Sequence, residues 1–395
     1  MQATTCHLPA TIIYGENSFL QVGVEAAKLG SKALIISDAV MERLGNVERA
    51  QALLEKSGIP SYSYLGVATE PTDTYVYEAL DLFRAKACNV IVSLGGGSCI
   101  DTAKAVAVLA VNGGAIDEYM NGRTIARKGA VPLIALPTTG GTGSEATDAT
   151  VITNTDTNVK MMIKQQAFMP RTAIVDPVLT KSTPKHITAA TGIDALTHAL
   201  EAYISKRAHP FTDGLALSAM ERIFHYLLPA YKDGNDIKAR HEMLYGSLLA
   251  GMAFSNSSVC LVHGMSRPIG ALFHVPHGVS NAMLLPVVLE YTKESCQERL
   301  ASIGRVLFPD KSGEGTETLA NTVVEEIVAL CAKVDIPTLP DWGVKEEAFM
   351  PMLPKMADDA LESGSPQNNP RVPSKRELIE LYEALFQRKS AVFSR

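Results

Sequence analysis

The chain has 395 residues, 46% of them hydrophobic and 20% charged, too apolar for a disordered chain and, at roughly 150 residues per domain, enough for two or three domains. Its 36 Lys and Arg against 42 Asp and Glu leave a net charge of −6, which argues against nucleic-acid or anionic-membrane partners because no basic excess exists to neutralise phosphates. No apolar run reaches the roughly 18 residues of a membrane span, and the first residues lack the basic-then-apolar order of a secretory signal, so a cytoplasmic protein is expected.

The first 180 residues alternate short β-branched runs with helical stretches. Lys32–Ser37 reads as a buried strand, followed by a helix through Leu53–Lys56, the turn Gly58–Pro60 and a strand over Ser61–Tyr64. A helix is predicted over Thr74–Ala87 and a strand over Asn89–Leu94, continuous in apolar character over Val90–Val92 and Leu94 as a parallel strand buried on both faces should be. Ser98–Val111 is helical and Val131–Leu136 is a further strand. This alternation predicts βαβ units and a parallel sheet. After about Pro184 the pattern becomes helix after helix: Ile187–Lys206, Pro210–Leu228, Asp236–Ser255, Thr316–Lys333 and Ser374–Gln387. The expected architecture is an α/β domain over residues 1–183 and an all-α domain over 184–395, with a cleft between them where ligands bind. The six cysteines (Cys6, Cys88, Cys99, Cys260, Cys296, Cys331) form no C-x-x-C pair and read as reduced, mostly buried thiols.

Several motifs carry chemistry. Gly95-Gly96-Gly97-Ser98 lies between a strand and a helix. Glycines admit a phosphate close to the backbone, and the helix N-terminus offers free N–H groups and a positive dipole end. The spacing is not G-x-G-x-x-G, and a tight turn needing positive φ is the simpler alternative. Asp38, at the end of the first strand of this unit, can accept hydrogen bonds from a ribose 2′-OH or cap a helix starting near Val40. Beside the glycine turn it favours NAD over NADP. Thr138-Thr139-Gly140-Gly141-Thr142-Gly143-Ser144-Glu145 follows another strand and suits a pyrophosphate or sugar contact. Asp194 and His198 are four apart, which puts a carboxylate and an imidazole on one helical face. With His263 and His277 they would make a thiolate-free cage suited to Fe²⁺ or Zn²⁺. Spacing alone does not join the two distant histidines to the pair.

At these residues the chain resembles the iron-containing (group III) alcohol dehydrogenase family. The likeness runs through Pro9-x4-Tyr14-Gly15, Gly95-Gly-Gly-Ser-Cys-Ile-Asp101-x2-Lys104, Pro137-Thr-Thr-x2-Thr-Gly-Ser-Glu145, Asp176-Pro177, Gly192-Ile-Asp-Ala-Leu-Thr-His198, His263-Gly-Met, Val275-Pro-His-Gly278 and Asn369-Pro370-Arg371. The resemblance implies a dehydroquinate synthase-like fold with an NAD-binding α/β domain and a helical metal-binding domain. It implies metal ligands at Asp194, His198, His263 and His277. Cofactor contacts are implied at Asp38, Gly95, Gly96, Gly97, Ser98, Thr138 and Thr139, with Lys160 and Leu179 near the ribose and adenine. It further implies a homodimer, joined through the N-terminal strand.

Many relatives carry a histidine four residues after the third ligand, where this chain has Arg267. Arginine stays protonated and is no ordinary general base, so the proton is expected to leave by a ribose hydroxyl and water. His274 is a candidate for the border of the site, and Cys99, on the glycine turn, for attack by thiol reagents. The expected reaction is reversible hydride transfer between a small alcohol or diol and its aldehyde or ketone, with NAD and Fe²⁺ or Zn²⁺. The alternatives are a hydroxyacid–oxoacid transhydrogenase of the same fold, a synthase of the dehydroquinate synthase type and a nucleotide-binding regulator without chemistry.

Overall fold

The structure is a computed structural model, and residues 3–157 and 159–388 are described. The chain divides into two compact units that meet between Ser182 and Thr183.

The first unit contains, in order, β1 (Thr11–Tyr14), α1 (Val22–Leu29), β2 (Ala33–Ile36), α2 (Ala39–Arg43), α3 (Asn46–Lys56), β3 (Ser61–Tyr64), α4 (Asp73–Ala85), β4 (Val90–Gly95), α5 (Gly97–Asn112), β5 (Leu133–Pro137), β6 (Ala149–Asn154), β7 (Val159–Lys164) and β8 (Thr172–Val175). Six strands form one parallel sheet in the order β1-β8-β5-β4-β2-β3. Side chains alternate between the faces of a strand, and here both faces are buried. Leu34, Ile36 and Ile91 pack with Val76, Leu80 and Phe83 of α4 and Val106 and Leu109 of α5. Ala33, Ile35, Val90 and Val92 pack instead with Val22 and Ala26 of α1 and Ala50 and Leu54 of α3. That is why β2 is apolar at every position and β4 at all but the buried Ser93; each fully buried Leu, Ile or Val contributes roughly 1.5–3 kcal/mol.

The predicted strands and helices of this unit are present with ends shifted by at most two residues. Helix α1, of only eight residues, was not predicted, and three further features carried too little periodic signal. Strands β1 and β8 are only four residues each, TIIY and TAIV. The antiparallel hairpin β6–β7 alternates buried Ile152, Met161 and Ile163 with exposed Val151, Met162 and Lys164, so its apolar residues do not form a run.

The second unit is helical: α6 (Lys185–Ile204), α7 (Pro210–Lys232), α8 (Ile237–Asn256), α9 (Leu261–Phe273), α10 (His277–Thr292), α11 (Gln297–Leu307), α12 (Thr316–Lys333), α13 (Glu346–Phe349), α14 (Leu353–Glu362) and α15 (Lys375–Gln387). No strand occurs among its described residues. Asp236 and Ser374, predicted as first helical residues, are the caps: their side chains accept from Ala239 N and Glu377 N at the starts of α8 and α15. Helix α6 is buried on nearly every face from Thr188 onward, the mark of a central helix. Polar side chains on it are therefore held in an apolar interior and need partners.

Candidate metal and cofactor sites

In the first unit the chemistry gathers at the carboxyl ends of three adjacent strands. Register pairs Ile36 of β2 with Ser93 of β4, and Gly95 of β4 with Pro137 of β5. Asp38, Gly95–Gly97 and Thr138–Thr139 thus emerge side by side. The strand order reverses between β2 and β4, and such a switch point is where open parallel sheets bind ligands. The ends are tied together: Ser37 Oγ donates to the Leu94 carbonyl at 2.6 Å, and Thr138 N to the Gly95 carbonyl at 3.1 Å.

None of Gly95, Gly96 and Gly97 has positive φ, so turn geometry is not the reason for glycine here. Close approach is. A Cβ on Gly95 would stand 2.5 Å from Cys99 Sγ, and one on Gly97 would stand 2.8 Å from Thr142 Cγ2. Gly96 differs, because its Cβ would meet nothing closer than Thr139 Oγ1 at 3.6 Å. Gly96 is the N-cap of the 16-residue helix α5, whose unpaired N–H groups suit an anion above it. Ser98 lies in the first turn, where its carbonyl accepts from Thr102 Oγ1 at 2.9 Å.

Asp38 does cap a helix: Oδ1 accepts from Val40 N at 2.8 Å and Met41 N at 2.9 Å. Its other oxygen, Oδ2, lies on the glycine-turn side, 3.6 Å from Cys99 Sγ. The capping and ligand roles use different oxygens and are compatible.

In the second unit, Asp194, His198, His263 and His277 each bring one donor atom within 4.8 Å of the others. Helix α6 supplies the first two, α9 the third, and α10 begins with the fourth. The turn between α9 and α10 brings His263 and His277 together, with ring centroids 5.4 Å apart. His198 lies 4.4 Å from His263, centroid to centroid, and stacks on Phe254 at 4.2 Å. Burial alone would raise the Asp194 carboxyl, but the imidazoles of His198, His277 and His263 and the amide of Asn281 bring it below its ordinary range. Burial, reinforced by neighbouring His198, holds His263 well below its ordinary value. An ionised carboxylate and a neutral imidazole are the forms that ligate. His198 Nδ1 and His263 Nε2 are buried with no hydrogen-bond partner, a costly state for polar nitrogens that a cation relieves. The donor set and its orphaned nitrogens therefore fit a divalent ion.

Three contacts around this cluster were not foreseen. Asn281, one turn beyond His277, donates from Nδ2 to Asp194 Oδ1 at 2.6 Å. Ser266 Oγ lies 3.4 Å from His277 Nδ1. Glu201 reaches His263 from behind. The i,i+4 and i,i+7 spacings of Asn281 and Glu201 from ligands were the available signal.

Comparison with known proteins bears on the family and the fold. A family model described as iron-containing alcohol dehydrogenase matches residues 9–177, and one for the C-terminal part of the same family matches residues 188–386. The chain belongs to the iron-containing alcohol dehydrogenase family. It is 39% identical over 384 residues to a 1,3-propanediol dehydrogenase of Citrobacter freundii, covering 96% of this chain and 98% of the relative. It is 36% identical over 380 residues to an NAD-dependent methanol dehydrogenase of Bacillus methanolicus, with the same coverages. A crystal structure of 1,3-propanediol oxidoreductase superposes with a TM-score of 0.93 at 37% identity, covering 98% of this chain and all of that one. The protein is thus an oxidoreductase of the iron-type alcohol dehydrogenase class. These relatives are dehydrogenases, which does not favour the transhydrogenase alternative.

The remaining family positions are less uniform. Lys160 lies on β7, in the hairpin, and is ion-paired with Glu70. Leu179 is buried in the sheet core with Phe19, Leu94 and Ile174. Arg267, one turn after His263, donates to Ser365 Oγ at 3.5 Å. His274 is outside the donor cluster: it is exposed and ends α9 in the left-handed region at φ 53°. Cys99 is 1% exposed, and burial and then Asp38 hold its thiol well above its usual range, so the expected sensitivity to thiol reagents is corrected. A buried clamp supports the hydroxyl-rich loop instead. Lys104 Nζ on α5 donates to Ser144 Oγ at 2.8 Å, Thr147 Oγ1 at 2.9 Å and the Ala149 carbonyl at 2.7 Å. Asp101 accepts from Ser144 Oγ at 2.5 Å and Val151 N at 2.8 Å.

Proposed function

We propose that the protein catalyses reversible oxidation of a small primary alcohol or diol to its aldehyde with NAD⁺, using a divalent metal held by Asp194, His198, His263 and His277. The gathering of those four donors within 4.8 Å, three of them buried and His277 half-buried, carries the reading. When bound, the cation supplies Lewis acidity at the alcohol or carbonyl oxygen. Asn281, donating to Oδ1 at 2.6 Å, orients the Asp194 carboxylate. In the first unit, the α5 N-terminus at Gly96–Ser98 and the hydroxyls of Thr138 and Thr139 receive the pyrophosphate. Asp38 Oδ2 receives the ribose hydroxyls, and Lys160 and Leu179 are assigned to the ribose and adenine side. Fe²⁺ is the proposed ion, with Zn²⁺ as the alternative for the same N/O donors.

Arg267 has no role as a base, so the proton is assigned to a ribose hydroxyl and water. The activities named for the Citrobacter and Bacillus relatives support a short-chain alcohol or diol substrate. Six free cysteines support a reducing cytoplasm. The edge position of β1, with exposed Leu20 and Val24 soon after it, supports a homodimer. No single helix among the described residues is long and apolar enough to cross a membrane.

The test is metal removal followed by reconstitution. Chelation should abolish NADH formation from propane-1,3-diol, methanol and short primary alcohols, and Fe²⁺ should restore it better than Zn²⁺. Full turnover by the metal-depleted protein would overturn the proposal.

A further inference from the structure

We propose that Glu201 is the positioning residue of the metal cage, fixing His263 as the Nδ1–H tautomer so that its bare Nε2 faces the ion. This rests on the metal reading above. Asp194, His198 and Glu201 stand at i, i+4 and i+7 along α6, so one helical stripe carries two ligands and a third acidic group. Glu201 is 1% exposed. Its Oε2 lies 2.7 Å from His263 Nδ1 and also accepts from Cys260 N at 2.7 Å. Its Oε1 accepts from Val262 N at 2.6 Å. Both carboxyl oxygens thus already serve as acceptors of backbone N–H groups, and a third bond of the same kind puts the ring proton on Nδ1. The opposite nitrogen, Nε2, has no hydrogen-bond partner and lies 3.7 Å from Asp194 Oδ1, on the side of the other donors.

The same three bonds hold the start of α9 against α6, so the ring is fixed in rotation and its backbone is fixed in place. A carboxylate behind a ligating imidazole raises its basicity. Asp194 and Glu201 place two carboxyl groups in and around the cage, a complement whose negative charge a divalent ion would balance in a dry interior. Serving the cage from behind, it is absent from the four-donor cluster.

The experiment uses the full chain at pH 8. First, ¹⁵N-histidine NMR of the metal-free wild type reads the His263 tautomer; Nδ1–H is expected, and a predominant Nε2–H form would overturn the proposal without any variant. Second, Co²⁺ titration followed by its visible absorption compares wild type with Glu201→Gln. The amide keeps the size but offers one acceptor where three donors converge. Co²⁺ affinity should fall about 10–100-fold with an altered band, and Glu201→Asp should recover part of the loss. Affinity within twofold of wild type would overturn the positioning role and leave the metal reading intact. Failure of the wild type itself to bind Co²⁺, Fe²⁺ or Zn²⁺ would overturn the metal reading and this role with it.

Discussion

The three glycines of the cofactor turn make a prediction that separates folding from binding. A methyl added at Gly97 meets Thr142 Cγ2 at 2.8 Å and Oγ1 at 3.0 Å, so Gly97→Ala forces packed atoms apart. Overpacking of this kind costs about 1–3 kcal/mol. A methyl added at Gly96 meets no protein atom closer than 3.6 Å. There the reduced entropy of the unfolded chain favours Ala by about 0.4–1 kcal/mol, while Ala is a poorer helix cap than Gly by a similar amount. Gly96→Ala should therefore leave the melting temperature nearly unchanged. If the pyrophosphate lies over the α5 N-terminus, that same methyl stands in its path. A clash of about 1–3 kcal/mol raises the dissociation constant roughly 5- to 140-fold. The assays are thermal unfolding and NADH fluorescence titration on both variants. A Gly96→Ala protein that folds normally and binds NADH as tightly as wild type would refute the placement of the phosphate.

Two further predictions concern charge. Asp38→Gly should raise the ratio of NADPH to NADH in kcat/KM by tenfold or more, about 1.4 kcal/mol. Because Gly is itself an acceptable N-cap, the cost to stability is only a few tenths of a kcal/mol; an unchanged ratio would remove Asp38 from the ribose site. Burial lowers Lys104 from 10.5 to about 8, against the pull of Asp101. Its folded value lies below its unfolded one, so the unfolded chain binds more protons between those pH values and the Lys104 contribution to stability rises with pH across that window. The difference in unfolding free energy between wild type and Lys104→Met should therefore shift toward wild type by up to about 3 kcal/mol from pH 8 to 10.5. A difference that stays flat in denaturant titrations would show that the buried ammonium is not strained.

Legibility in the sequence followed the range over which a signal acts. The parallel sheet was readable because strands buried on both faces are apolar at consecutive positions, as in β4. Asp194 and His198 were readable as a pair because helical spacing is local. The approach of His263 and His277 was not, because it depends on α9, a left-handed turn at His274 and α10 docking on α6. Family resemblance supplied that step. Glu201 and Asn281 escaped notice because their partners lie 62 and 87 residues away, and a lone Glu or Asn on a helix has no distinctive pattern. The hairpin β6–β7 was missed because alternation over six residues is weak beside the apolar runs around it.

The four donors come from three separate stretches of chain, so an ion among them acts as a staple as well as a reagent. It closes one long loop, from His198 to His263, and one short one, from His263 to His277. By chain entropy alone, cross-links over such loops are worth about 3–4.5 kcal/mol each, and a ligand that binds only the folded form adds its own binding energy. On the metal reading, supply of the ion and half-life are linked: protein deprived of it should lose turnover and the helical unit's resistance to proteolysis together. Chelation that stops NADH formation should accordingly lower the melting temperature in the same titration.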